Sequence, residues 1–87
     1  MTNTTTYCRG INPVATGAQI KKLRKTSGYT VDQLCDIFYI SPQAIYKWQR
    51  GDALPTLDNM MVLCDLFKVK VEDIVVREDD DVFPHAA

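Results

Sequence analysis

One stretch decides the fold: Ile40 to Gly51, which reads ISPQAIYKWQRG. It predicts a short helix with both ends marked. Ser41 suits the N-cap because its hydroxyl can accept from the free N–H groups of the first turn, and Pro42 suits the first helical position. Gly51 follows where a left-handed residue ends many helices. We therefore expect a helix between Ser41 and Gly51.

The two faces of this helix differ in chemistry. Ile45 and Trp48 are three residues apart and share an apolar face. The opposite face carries hydrogen-bond donors: Gln43, Tyr46, Lys47 and Arg50. A helix this short is unstable alone, so neighbouring elements must hold it and leave the donor face exposed. Such a face suits an acceptor-rich surface, for example the major groove of DNA.

A second short helix precedes this stretch. Thr30 and Gln33 have the spacing of a capping box, which predicts a helix that reaches about Phe38. Only two residues then separate Phe38 from Ser41. Two short helices joined by so tight a turn describe a helix-turn-helix unit, in which the second helix is Ser41 to Gly51.

Three further helices are predicted. Thr16 and Gln19 have capping-box spacing, which predicts a first helix over about Gly17 to Ser27. Apolar spacing predicts a fourth helix from a Thr56 cap to about Phe67 and a short fifth helix over about 71–76. We expect an all-α, compact five-helix bundle without strands. Its core is predicted to contain Ile20, Leu23, Leu34, Cys35, Phe38, Ile45, Trp48, Leu57, Met60, Leu63, Cys64, Phe67 and Ile74.

The two ends of the chain lack a helical or strand pattern. Residues 1–15 contain Gly10 and Pro13 and are predicted to form a flexible N-terminal arm, followed by one domain over 16–76. Residues 77–87 are acidic and predicted to be a disordered C-terminal tail. Tyr7, Cys8 and Arg9 could touch a partner, but a disordered arm is the preferred interpretation.

The net charge of −1 hides an uneven distribution. From Arg9 to Arg50 there are seven basic and two acidic residues, a net +5. From Gly51 to Ala87 there are three basic and nine acidic residues, a net −6. The first part could therefore meet phosphate while the second faces away. Lys21, Lys22 and Lys25 fit that role, but they also fit an ordinary solvated helix face.

The residue types do not favour an enzyme, a metal site or a membrane protein. The three cysteines are widely spaced, and the single histidine, His85, lies in the polar tail. We find no Ser/His/Asp set, no glycine-rich phosphate loop and no apolar run long enough for a membrane span. With no leader sequence recognisable either, we expect a cytoplasmic protein without a cofactor or a small-molecule ligand.

The marking residues, taken in order, resemble the Cro and lambda-repressor-like helix-turn-helix family, also called the xenobiotic-response-element type. The resemblance covers about residues 17–76. It is carried by IKKLR at 20–24, YT at 29–30, LC at 34–35, IS at 40–41, IYKWQRG at 45–51, PTL at 55–57 and LC at 63–64. It implies a five-helix bundle that binds operator DNA sequence-specifically and regulates transcription, usually as a dimer on two half-sites.

The resemblance also implies roles for individual residues. The positions that face bases are Pro42, Gln43, Ala44 and Lys47, and Tyr46 can reach bases or backbone. The chemistry agrees, since glutamine can pair with adenine, lysine can donate to guanine and alanine can touch a thymine methyl. The expected phosphate contacts are Thr30, Ser41 and Arg50, with a non-specific contribution from Lys21, Lys22 and Lys25.

Three positions depart from the family pattern. Val31 replaces a common glutamine that contacts the DNA backbone. Tyr39 replaces a common turn glycine, and a left-handed backbone there would cost on the order of 1 kcal/mol. Gln49 replaces a glutamate that pairs with Arg24, which should weaken that link because charge-assisted hydrogen bonds are roughly twice as strong. At Tyr39 and Gln49, therefore, the orientation of the recognition helix in the bundle can differ from that in the family.

Two further interpretations concern partners. Met61, Val62 and Leu66 widen the apolar surface of the fourth helix, and with the fifth helix they are a candidate homodimer interface. A different class of function also fits the fold: a protein-interaction module, for instance an antitoxin that masks a toxin. In that case Val82 and Phe83 of the acidic tail would bind the partner.

Overall fold

The computed structural model describes residues 10–78, and these form five helices. In chain order they are α1 (Pro13–Ser27), α2 (Val31–Phe38), α3 (Pro42–Arg50), α4 (Leu57–Phe67) and α5 (Val71–Ile74). The all-α five-helix bundle is confirmed. Within the described range the only extended pairing is an isolated antiparallel bridge between Ile11 and Arg77, and no helix there is long and apolar enough to cross a membrane.

Each helix contributes to one hydrophobic core. α3 lies against α1 and α2, while α4 and α5 pack on each other and on α1. Phe38 meets Trp48 edge to face, with ring centroids 5.5 Å apart. The buried apolar residues are Ile20, Leu34, Ile45, Trp48, Met60, Leu63, Cys64, Phe67 and Ile74. Leu23, Cys35 and Phe38 are half-buried at the edge of this core. The prediction that Leu57 belongs to the core is wrong, because its side chain is 74% exposed.

The start of α1 differs from the prediction. Asn12 is the N-cap and accepts a hydrogen bond from the Ala15 N–H at 3.0 Å, so Pro13 opens the helix. Thr16 is therefore inside the helix and does not cap it. Its hydroxyl is fully buried and accepts from the Val76 N–H at 2.9 Å. This contact joins residues 60 positions apart, which no local spacing could indicate.

The two ends of the described chain are paired. The Asn12 N–H donates to the Val76 carbonyl at 2.7 Å, and the Glu78 N–H donates to the Gly10 carbonyl at 2.8 Å. The flexible arm predicted over 1–15 is thus wrong for Pro13–Ala15, which belong to α1. Residues 1–9 and 79–87 lie outside the described residues, and with them the interpretations of Tyr7, Cys8, Arg9, Val82 and Phe83.

The other helix ends follow the sequence signals closely. Thr30 and Gln33 form both bonds of a capping box, and Thr56 caps α4 by accepting from the Asn59 N–H. Gly28 and Gly51 end α1 and α3 in the left-handed conformation. The fifth helix is shorter than predicted, since its last helical residue is Ile74 and Val75 is already extended.

Candidate nucleic-acid interface

The exposed face of α3 is the centre of the site. Ile45 and Trp48 are buried against α1 and α2, which fixes the rotation of the helix about its axis. The opposite side chains then point away from the core. Pro42, Gln43, Tyr46 and Lys47 are exposed, and Ala44 is half-buried. The structure therefore brings the five predicted base-reading residues together on one short helix, four of them open to solvent.

Ser41 stands at the N-cap of α3 with an extended backbone, as predicted, but its hydroxyl makes no capping hydrogen bond. The expectation that it accepts from the first turn is wrong. The Ala44 N–H, which such a cap could satisfy, donates instead to the backbone carbonyl of Ser41 at 3.1 Å. The Ser41 side chain is exposed at the positive end of the helix, where hydroxyls and free N–H groups suit an anion.

Thr30 occupies the corresponding position on α2. Its side-chain oxygen accepts from the Gln33 N–H at 3.1 Å, while the Gln33 side chain accepts from the Thr30 N–H at 2.8 Å. The hydroxyl proton of Thr30 takes no part in either bond and can be donated to an anion. Two exposed hydroxyls thus mark the N-terminal ends of α2 and α3.

The turn between α2 and α3 has a left-handed residue where the family usually has glycine. Tyr39 has φ 57° and ψ 44°, and its N–H donates to the Cys35 carbonyl. For a residue with a Cβ this conformation costs about 1–2 kcal/mol. The turn thus adopts the left-handed conformation with a tyrosine at its C-cap position.

The link between Arg24 and Gln49 is present although the Gln49 side chain carries no charge. Arg24 donates from Nε to the Gln49 side-chain oxygen at 2.9 Å and from Nη1 to the Tyr29 carbonyl at 2.8 Å. One guanidinium thereby joins α1, the α1–α2 loop and α3. Val31, the other departure, packs half-buried at the edge of the core. Its side chain contributes packing there, where the family glutamine would reach for the DNA backbone.

Gly17 and Gly51 bring α1 and α3 together, a packing role that was not predicted for either of them from the sequence. A Cβ on Gly17 would overlap the carbonyl oxygen of Trp48 and lie 2.7 Å from that of Gln49. A Cβ on Gly51 would lie 2.6 Å from the Cα of Val14. The missing side chains let the start of α1 cross the end of α3 at backbone contact. The available signal was Gly17 itself, since a glycine inside a helical pattern often marks close packing.

The basic residues differ in how far they are available. Lys21, Lys22 and Lys25 are exposed on α1. Arg50 is exposed but already paired, since its Nε lies 2.9 Å from a carboxylate oxygen of Asp52. An exposed pair of this kind contributes little stability, and phosphate can compete for the guanidinium. Arg50 thus carries an intramolecular partner that its place in the motif did not indicate.

Cys35 and Cys64 behave as packing residues. Burial, followed by the nearby Asp32 and Asp36, raises the pKa of the half-buried Cys35 thiol. Burial also raises the pKa of Cys64, with smaller contributions from Asp65, Asp73 and Glu72. Both thiols therefore stay protonated near neutral pH. Across residues 10–78, no group of three or more His, Cys, Asp or Glu side chains could hold a metal ion.

Comparison with known proteins gives a family match for most of the chain. Residues 19–80 match the model of the Cro/C1-type HTH DNA-binding domain. The chain is 26% identical over 61 residues to the HTH-type transcriptional activator BcrR of Enterococcus faecalis. It is 27% identical over 63 residues to YgzD of Bacillus subtilis (strain 168), an uncharacterized HTH-type transcriptional regulator. These matches cover 70% and 72% of this chain, but 30% of BcrR and 96% of YgzD.

Solved structures with the same arrangement of helices include two regulators. The restriction-modification controller protein C.AhdI of Aeromonas hydrophila aligns with a TM-score of 0.61 and 18% identity, covering 70% of this chain and 92% of that one. The clp gene regulator ClgR of C. glutamicum aligns with a TM-score of 0.62 and 22% identity, covering 71% and 80%. At these identities the likeness shows the fold.

Proposed function

Because the chain belongs to the Cro/C1-type helix-turn-helix DNA-binding domain family, we propose that it is a transcriptional regulator that binds a specific double-stranded DNA operator. The observation that carries the proposal is the placement of α3. Its apolar side is locked into the core by Ile45 and Trp48, and its donor-bearing side is exposed. An α-helix of this kind fits the width of the major groove.

The proposed base readers are the residues on the exposed side of α3. Gln43 can pair with the adenine N6 and N7 atoms, and Lys47 can donate to guanine O6 and N7. The methyl group of Ala44 suits contact with a thymine methyl. Pro42 and Tyr46 complete the set, the first beside the N-terminus and the second reaching bases or backbone.

The proposed phosphate contacts surround this helix. Thr30 and Ser41 offer hydroxyls at two helix N-termini, and Arg50 exchanges its Asp52 partner for phosphate. Lys21, Lys22 and Lys25 add a non-specific electrostatic contribution from α1. Contacts of this kind fix the register of a protein on the duplex without reading sequence.

We also propose that the regulator acts as a homodimer through α4 and α5. Met61 is 51% exposed and Val62 37% exposed on α4, and Leu66 is half-buried beside them. A separate apolar groove of about 300 Å³ is lined by Ile11, Leu54, Leu57, Val71 and Val75, among others. A group of exposed apolar side chains is typical of a protein interface. We further propose that the protein acts in the cytoplasm, where operator DNA is its partner, and that it binds DNA without catalysing a reaction.

A selection of bound sequences from a random duplex pool tests the proposal. We expect the full chain to enrich a half-site, repeated about one helical turn apart if it binds as a dimer. Binding should weaken steeply with salt as counterions are released from phosphate. No enriched sequence, together with no binding at low salt, would contradict the proposal and favour the protein-interaction module, in which case proteins are the partners to search for.

A further inference from the structure

Tyr39 has the most exposed side chain of the large apolar and aromatic residues in the described part of the chain. It is 93% exposed at the turn between α2 and α3. Its neighbour in the chain, Phe38, is packed edge to face against Trp48. Within residues 10–78 the Tyr39 hydroxyl has no hydrogen-bond partner and its ring has no aromatic contact. The side chain adds nothing to the packing of the described fold.

The backbone at this position is suited to glycine. Both φ and ψ of Tyr39 lie in the left-handed region. In the same conformation α1 and α3 end on Gly28 and Gly51, which avoid the strain of a Cβ. The left-handed backbone of Tyr39 lowers the stability of the fold, and no packing of its side chain within the described chain compensates for that strain. Such outliers point to a role in contact with something outside it.

The position of Tyr39 indicates what that contact is. Its Cα lies at most about 7.6 Å from that of Ser41, the N-cap of α3, because two peptide units separate them. Ser41, Pro42 and Gln43 are all exposed at this end of the helix. When α3 enters a major groove by this end, the turn lies beside the sugar–phosphate chain that borders the groove. Tyrosine hydroxyls are among the groups that donate to phosphate oxygens in DNA complexes.

We propose that Tyr39 donates its phenol O–H to a phosphate of the operator at the border of the groove that α3 enters. This inference rests on the proposed function and adds a contact to it. The phenol is neutral, so the contact strengthens binding without releasing a further counterion. It therefore changes affinity but leaves the slope of log affinity against log salt as it is. As a phosphate contact, it carries no base preference.

Fluorescence anisotropy of the full-length protein tests this, with an enriched duplex and an unrelated duplex each titrated at several salt concentrations. Tyr39→Phe removes only the hydroxyl and should weaken binding to both duplexes about two- to tenfold, the value of one hydrogen bond, with an unchanged salt slope. Tyr39→Gly relieves the backbone strain as well. It should weaken binding at least as much while the Tm stays equal or rises.

Lys68→Gly is the matched control, because Lys68 is the other non-glycine residue with a positive φ in the described chain and ends α4. Lys68→Gly should change the Tm in the same direction as Tyr39→Gly does. It should not, however, lower the affinity for the two duplexes at an unchanged salt slope. If Tyr39→Phe and Tyr39→Gly bind as the wild type does, the inference is overturned while the proposed function stands. If the wild type binds neither duplex at low salt, the proposed function fails and this inference with it.

Discussion

At the scale of single residues, α3 is seated by a guanidinium with a neutral acceptor. Arg24 contacts both Gln49 and the Tyr29 carbonyl, so the geometry survives without a carboxylate. The missing carboxylate charge makes the hydrogen bond weaker, since hydrogen bonds between a charged donor and a charged acceptor are the stronger ones. Sequence comparison identified this position as a departure, but only the structure reveals that the bond is kept.

Gln49→Glu should raise the free energy of unfolding by on the order of 1 kcal/mol, because a carboxylate then accepts from the half-buried Arg24 guanidinium. Urea denaturation at neutral pH measures this. The control is the same change in an Arg24→Ala background, where the gain should vanish. An equal gain in both backgrounds would show that the effect does not come from this pair.

Arg50 gives a second prediction, through its exposed ion pair with Asp52. Asp52→Asn frees the guanidinium and removes a negative charge that repels phosphate. We expect affinity for all duplexes to rise by up to about fivefold, since exposed pairs are worth no more than ~1 kcal/mol. The salt slope should stay nearly unchanged, because Arg50 is proposed to contact the same phosphate in both proteins. Asp65→Asn on α4 makes the same change in net charge, and a rise as large there would point to net charge alone.

At the scale of elements, the crossing of α1 over α3 depends on Gly17. Gly17→Ala would gain up to about 1 kcal/mol of helix propensity, yet its Cβ would collide with the carbonyls of Trp48 and Gln49. Backbone atoms cannot step aside as a flexible side chain can. We therefore expect a net loss of about 1–3 kcal/mol or more in thermal or urea unfolding.

Gly10→Ala serves as the control, because a Cβ there meets nothing within 4 Å. It should leave stability nearly unchanged. A stable Gly17→Ala variant with unaltered DNA binding would mean that the two helices do not meet at backbone contact in solution.

The elements that the sequence predicted correctly are those with local signals. The Thr30 and Thr56 caps, Gly28 and Gly51 each act within four residues of the helix end that they mark, so spacing alone reveals them. The start of α1 was missed because Thr16 has the spacing of a cap but bonds to Val76, far along the chain. Leu57 has core spacing, yet it lies in the first turn of α4, on the surface. Contacts between residues far apart in the chain, such as that of Thr16 with Val76, cannot be predicted from the spacing of neighbouring residues.

At the scale of the whole molecule, the proposed dimer uses the α4 surface that the core leaves uncovered. Leu57 and Met61 are four residues apart on one face of α4 and are 74% and 51% exposed. Leu57→Glu places a charge in that apolar surface and should shift the self-association equilibrium toward monomer by at least tenfold, because an unpaired charge is costly to bury. Sedimentation equilibrium at micromolar concentrations measures the shift.

Ile37→Glu, on the exposed part of α2, is the matched control, with a side chain 39% exposed outside α4 and α5. It should leave the self-association unchanged. A wild-type protein that remains monomeric at high micromolar concentration, with and without operator, would rule out the dimer while leaving DNA recognition by α3 intact.

The central claim is that the exposed face of α3 reads base sequence. The most direct measurement is the affinity of the wild type and Lys47→Ala for a selected half-site in which each base pair is changed in turn. Lys47→Ala should bind the half-site about 1–3 kcal/mol more weakly and lose its base preference at one or two adjacent positions only. An unchanged preference at every position, with affinity lowered equally for all sequences, would contradict base reading by this helix face.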